Sequence, residues 1–387
     1  MRPLEGIKIL DLSRLLPGPF ATLVLSDMGA AVDKVEDPSG GDYLRHMPPQ
    51  QEGTSTMFLA LNRGKRSLSL DLKKPAGVEA FLRLVGGYDV VLDQFRPGVL
   101  ARLGVGHDVL LAKYPRLVVC ALTGYGQTGP LAQRAGHDLN YLARGGVLGF
   151  QGPKEGVPAV PGFQLADISG ALYAVIGILG ALRKRDQTGE GSVVDIAMAD
   201  AALTFALSGY GTAFAGETPR RGDEPLIGGI APYRTYATKD GRHVALAALE
   251  PKFWLGFCAA VGLDTDMGAL MPGPHQAELM ARLEGLFAER TLAEWVALSE
   301  KGDFCLEPVL SPQEAMADAH LRGRGVFFEM SSPWGSIHQL RTPVTPAGAE
   351  AFAPPPRQGE HGEAILRDAG FSDAEMQALF ESGAARR

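Results

Sequence analysis

The segment AGHDLNYLARGGVLG, residues 135–149, sets His137 beside Asp138 between glycines and small apolar residues. An imidazole titrates near neutrality and can both take and return a proton, and a carboxylate beside it can fix its orientation. A second carboxylate, Asp167 in GFQLADISGALYAVIGIL, stands where a long apolar run begins. Aspartate is a favoured N-cap there, but unpaired N–H groups and the positive helix end would also steady a carboxylate or an oxyanion formed beside it. The SGA that follows leaves room for a substrate against the backbone. Glu250, in ALEPKFW, lies before Pro251 at a third helix start. Each of these residues also has an ordinary reading as a structural or solvated helix-start group, so spacing alone does not join them into a site.

The surrounding pattern predicts what must position them. IKILDLS (7–13), AVDKVED (31–37), VVLDQF (90–95), RLVVCALT (116–123) and SVVDIAM (192–198) read as strands. PGPFATLVLSDMGA (17–30), PAGVEAFLRLVGGYD (75–89) and roughly 167–185 read as helices, the last apolar on most faces and therefore expected to be buried. Strands alternating with helices predict an α/β fold with a large Rossmann-like domain on a parallel sheet. That domain is expected to span 1–200 and to be completed by 320–387. A linker, 201–224, leads to a smaller α+β domain over 225–315, with a hairpin around Asp240-Gly241 followed by helical patterns to about 300.

GYGQTG (124–129) matches a dinucleotide fingerprint after a strand, but Pro130 and LAQRAGHD replace the required helix, and no acidic strand end follows about 20 residues on. It reads better as a glycine-rich loop close to a ligand or a neighbouring backbone. With 45% hydrophobic and 21% charged residues, the chain of 387 is expected to bury a substantial core. A net charge of −7 and a pI of about 5.7 argue against a nucleic-acid partner. Cys120, Cys258 and Cys305 show no metal spacing and read as reduced packing residues. MRPLEGIKIL lacks a signal run, and no stretch was expected to approach the ~18 apolar residues of a membrane span. A cytoplasmic protein with no membrane partner is the expectation.

The ordered segments LEGIKILDLSRLLPGPFATLVLSDMGA, RPGVLARLGVG, LTGYGQTGPLAQRAGHDLNYLARGGVLG, GEGSVVDIAMADAAL and GGIAPYRTYATKDGRHVALAALEPKFW resemble the family III CoA-transferases, and within them the 2-methylacyl-CoA racemases. The resemblance fades after about residue 320. It implies His137 as one acid/base, paired with Glu250, and Asp167 as the opposing base, which in transferases of the family is the nucleophile. Transferases generally lack the GHD histidine and this glutamate. Asp138 is expected to orient His137.

The resemblance further implies a CoA site using Lys73, Arg96, Arg102, Gly136, Asp138 and Tyr141. Positive charge in NRGKR (62–66) would help to attract the anion, and Asp37 stands where relatives can carry a basic residue. An acyl-CoA thioester substrate, an interlocked homodimer, and neither metal nor redox cofactor (CoA being part of the substrate) complete the expectation. An enolate oxygen would find donors in the N–H groups that open the Asp167 helix. The alternative reaction is CoA transfer to a free carboxylic acid through Asp167.

Overall fold

In the computed structural model, which describes residues 2–264 and 267–386, the chain divides into two compact units. The first comprises 1–145, 163–204 and 320–387, and the second 146–162 and 205–319. The first unit is built on β1 (Lys8–Asp11), β2 (Ala31–Glu36), β3 (Lys65–Leu70), β4 (Val90–Asp93), β5 (Val118–Thr123) and β6 (Ser192–Ala197). These six are all parallel and run in the order β3-β2-β1-β4-β5-β6. That is the order of a doubly wound dinucleotide-type sheet, whose direction of winding switches between β1 and β4. A short strand near the chain's end, Ala385–Arg386, pairs antiparallel with β3 and completes that edge.

Apolar runs buried on both faces explain β1, β4 and β5. By contrast, β2 buries Asp33, Lys34 and Glu36 beside its valines, and β6, at the sheet edge, leaves Val193 and Asp195 exposed. β3 escapes that reading because it is KRSLSL, yet Lys65 is 1% exposed. Its charge is met from within. Lys65 Nζ donates to the Pro19 carbonyl at 2.9 Å and to Asn62 at 3.0 Å, and it lies 3.8 Å from Asp11. Burial pushes the Lys65 ammonium down to about 7 despite Asp11. Arg63 pairs with Asp27 inside the protein, and Arg66 pairs with Asp33 and Asp368. The positive charge expected of NRGKR is therefore consumed by internal acids, not offered to a ligand.

Helix α1 (Pro17–Asp27) has proline in its first turn and returns the chain to β2. A Cβ on Gly18 would lie 2.0 Å from that of Ser13, so only glycine lets α1 start this close to the end of β1. Helix α2 (Pro75–Val85) packs Phe81, Leu84 and Val85 into the core below the sheet, together with Ile365, Leu366 and Leu379 from the carboxy-terminal segment. Next come α3 (Asp138–Arg144) and α4 (Leu165–Thr188). By length and composition α4 could cross a bilayer, against expectation, and half of its most apolar window is buried. Ala171, Ala174 and Ile178 face inward, whereas Leu172 and Ile176 stay exposed, so the helix is not buried all round. A further strand pair, Phe327–Ser332 with Gly335–Leu340, joins the first unit and was not apparent in the sequence.

Within 201–224, expected as a linker, the helical pattern of ADAALTFALSGYGTAF (199–214) gives the end of α5 (Met198–Leu203) and all of α6 (Leu207–Phe214). Residues 146–162 join the second unit because Phe150 packs on Gly209, where a Cβ would come within 2.9 Å of the ring. That unit pairs β7 (Tyr233–Ala237) and β8 (His243–Ala247) as the hairpin, with Leu306–Pro308 on the far side of β8. Helices α7 (Pro251–Val261), α8 (Gln276–Phe287) and α9 (Leu292–Ser299) enclose its core. Phe287 stacks on Tyr236 and Phe257 at centroid distances of 4.7 and 5.7 Å, and lies 4.6 Å from Trp295.

Candidate active site

Ligands of open α/β sheets bind outside the carboxyl ends of the strands at the switch point. A cleft of about 330 Å³ lies there. Its walls are Leu12, Ser13 and Arg14 after β1, Glu36 to Tyr43 after β2, Leu70 to Lys73 after β3, and Phe95 and Val99 after β4. Buried charges set its floor. Lys34 pairs with Asp42 at 3.0 Å, and Arg45 grips Glu36 through two bonds of 2.7 and 2.8 Å. Burial alone would raise the Glu36 carboxyl, but Arg45, Lys34 and Ser67 hold it down to about 2.

Of the residues expected to hold CoA, Lys73 lines this cleft, its Nζ 3.0 Å from Asp37 and its side chain 73% exposed. The Ser39 hydroxyl and Lys73 keep the Asp37 carboxyl down at about 2, against a smaller effect of burial. Arg102 and Lys73 share the adjoining groove over Leu72, Pro75 and Val78. Arg96, exposed after β4, acts electrostatically on Tyr141 instead. Arg14, whose Nη1 donates to the Tyr43 hydroxyl at 3.0 Å, is a cleft cation that the sequence reading missed. Its position just past the first strand was the available signal.

The candidate acid/base residues of the first unit lie after β5. The GYGQTG loop serves them as packing: a Cβ on Gly124 would lie 2.5 Å from the Tyr141 ring, and one on Gly136 2.7 Å. Tyr141 is 5% exposed, donates its hydroxyl to the Gly136 carbonyl at 2.5 Å and meets Tyr125 edge-on at 5.1 Å. Burial, with the charge of Asp167 adding, pushes its phenol up to about 12. Tyr141 therefore acts as a wall for this loop and presents little surface to a ligand.

His137 is exposed at the N-cap of α3, its backbone N–H donated to Asn140 Oδ1 at 3.1 Å. Among the described residues no hydrogen bond joins it to Asp138. Its Oδ1 accepts the N–H of Ala166 at 2.6 Å and of Asp167 at 3.2 Å, in the first turn of α4. Two expectations change with that contact. Asp167 is not the N-cap, since α4 begins at Leu165 and is capped from outside by Asp138. The N–H groups expected to receive an enolate oxygen are occupied, apart from that of Leu165.

Asp167 itself is half-buried, and its carboxylate has no hydrogen-bond donor among the described residues. Burial, with the adjacent charge of Asp138 adding, pushes it up to about 7. The arrangement thus joins an exposed imidazole and a carboxyl poised near neutrality, with Asp138 tying their two helices together. Glu250 belongs to the second unit, where it is the exposed N-cap residue of α7. Among the described residues, no group of three or more His, Cys, Asp or Glu side chains is placed to hold a metal ion.

A doubly wound sheet with a cleft at its switch point is a plan on which α/β proteins bind ligands. Residues 4–362 match the model of CoA-transferase family III, and the chain belongs to that family. The match continues well past residue 320, further than the resemblance was legible. The human alpha-methylacyl-CoA racemase is 36% identical over 97% of this chain and 96% of its own length. The mouse succinyl-CoA:glutarate CoA-transferase is 32% identical over 99% of this chain and 90% of its own. The crystal structure of a CAIB/BAIF family protein from Brucella suis superposes with a TM-score of 0.82 at 32% identity, covering 95% of this chain and 99% of that one.

Proposed function

We propose that the protein racemises 2-methylacyl-CoA thioesters by moving the α-proton between two bases through an enolate. The observation that carries this reading is the Asp167 carboxyl, poised at about 7 without a donor and joined through Asp138 to the segment bearing His137. In one direction the neutral His137 imidazole takes the α-proton, and the Asp167 carboxylic acid returns one to the opposite face. The enzyme then holds an imidazolium and a carboxylate, which is the form that acts on the other enantiomer. Glu250 is assigned to the pairing with His137. Lys73, Arg96 and Arg102 are assigned to the CoA phosphates and Arg14 joins them, since guanidinium and ammonium groups suit phosphate oxygens.

The assembly we propose is a homodimer in which a second copy brings Glu250 to His137 and Asp167. The exposed apolar surface supports it: Ile176 is 61% exposed on α4, and Phe205, Leu207 and Phe214 are 56%, 67% and 81% exposed in the second unit. The proposed compartment is the cytoplasm. CoA transfer is the second reading, supported by the identity to the glutarate transferase, and there the Asp167 carboxylate would attack the thioester carbonyl and expel CoA thiolate.

The test is incubation in D2O with one enantiomer of a 2-methylacyl-CoA and no free acid, following deuterium at the α-carbon and configuration together. Deuterium gain with racemisation is the expected result. Absence of exchange, with CoA transfer once a carboxylic acid is added, overturns it in favour of the transferase.

A further inference from the structure

Two features of Asp167 pull against each other. Aspartate in the first turn of a helix ordinarily holds its charge firmly, because the free N–H groups and the helix dipole both favour the carboxylate. Asp167 is in that first turn, one turn from the N-cap position Gln164. Yet its carboxyl is unbonded and its titration is displaced upward. Burial raises it first, and Asp138 adds its charge while taking the N–H groups of Ala166 and Asp167 for itself.

We propose that Asp138 is a positioning residue for Asp167: by occupying the N–H groups of Ala166 and Asp167 and setting a carboxylate beside Asp167, it keeps that carboxyl able to gain as well as lose a proton. The division of labour follows from the bonds. Asp138 receives two N–H donors, which favour its carboxylate against a burial that on balance raises it, whereas Asp167 receives none.

The other charged and titratable groups around the start of α4 do not account for this. Asp27 on α1 is paired with Arg63, and Asp195 on β6 receives the Gln127 N–H. Arg144 lies at the far end of α3, and Asp200 lies on α5. Tyr125 and Arg96 act on Tyr141, and Tyr141 in turn feels Asp167. Beyond burial, Asp138 is the charge that acts on Asp167, and His137 is not among its influences.

This inference rests on the acid/base reading of Asp167, so its test uses a readout that needs no substrate. The protein carrying carboxyl-13C aspartate is titrated by NMR, with the Asp167 signal identified by its loss in D167N. The key variant is D138N, which keeps a side-chain oxygen for the two N–H groups and removes only the charge. Circular dichroism and melting of D138N and D138A report folding separately from charge.

In D138N the Asp167 midpoint is expected to move down by about one unit, the scale on which one neighbouring charge acts. The pH profile of exchange in D2O should shift in the same sense. An unmoved Asp167 titration in a folded D138N overturns the proposal and leaves Asp138 as a helix cap. If the midpoint moves but neither enantiomer exchanges, the pairing stands and the racemase reading falls.

Discussion

Arg63 and Asp27 form an ion pair of 2.7 Å with both side chains fully buried, and the same guanidinium reaches Gln339 at 3.0 Å and the Leu340 carbonyl at 3.2 Å. It ties the approach to β3 and the end of α1 to the strand Gly335–Leu340. Breaking one side of a buried pair strands the other charge, so R63A is expected to cost about 3–5 kcal/mol in urea unfolding. The double change R63M/D27L, which removes both charges, should cost clearly less. Equal losses in the two proteins would mean that packing of the arginine stem, not its charge, is what matters.

The proposed acid/base pair, His137 and Asp167, is expected to work with one proton between its two members. Both forms, neutral imidazole with carboxylic acid and imidazolium with carboxylate, contain the same number of protons. The pH profile of kcat/KM should therefore be a bell, identical for the two enantiomers, falling at low pH when both groups are protonated and at high pH when neither is. An ordinary aspartate would leave the carboxylic-acid form scarce near neutrality, whereas Asp167 at about 7 supplies both carboxyl forms there. A sigmoidal profile in place of the bell would remove the two-base scheme.

Asp167 should also weaken the fold. Its carboxyl titrates at about 7 when folded against a usual 3.8, so the folded state binds the extra proton between those values. Its contribution to stability is complete below about 4 and is lost as pH rises through about 7. D167N is therefore expected to melt higher than the parent above pH 7 and to differ little at pH 4, while racemisation disappears. H137N should abolish racemisation too, whereas a transferase would tolerate that change far better than the loss of Asp167.

Gly124 and Gly136 form a steric test of the loop. Alanine at either position would press its methyl on the Tyr141 ring at 2.5 or 2.7 Å, and overpacking of this kind typically costs about 1–3 kcal/mol. Adding Y141A to G124A should return part of that loss, which a double-mutant cycle by thermal melting would register as coupling. Strict additivity would mean that the glycine serves the backbone alone.

For the proposed dimer, I176E places a charge on the exposed outer face of α4, where the side chain is 61% accessible in the single chain. The fold should survive, and sedimentation should show monomer with activity lost. A dimer of undiminished stability would place the contact elsewhere.

What the sequence disclosed follows from the range of each interaction. Strands such as VVCALT announced themselves because they are apolar along their length, whereas the histidine, aspartate and glutamate were singled out as candidates through the resemblance of their segments to a known family. β3 was hidden by Lys65 and Arg66, whose acids come from other strands. The capping of α4 was hidden for the same reason, since Asp138 and Ala166 lie 28 positions apart and no local rule couples them. Arg14 went unnoticed because a single arginine after a strand carries no pattern until the sheet order shows which ends lie together.

The first unit is interrupted by the second and is finished by residues 320–387, which bring Ile365, Leu366 and Leu379 to its core and the pair Ala385–Arg386 to the open edge of β3. During synthesis, the second unit has all of its residues once position 319 has been made, while the larger sheet still lacks an edge and part of its floor. The smaller body can therefore fold first on the ribosome. The nascent larger one meanwhile carries an unpaired strand that other chains could join, which makes the interval before 320–387 are added the one most exposed to misassembly.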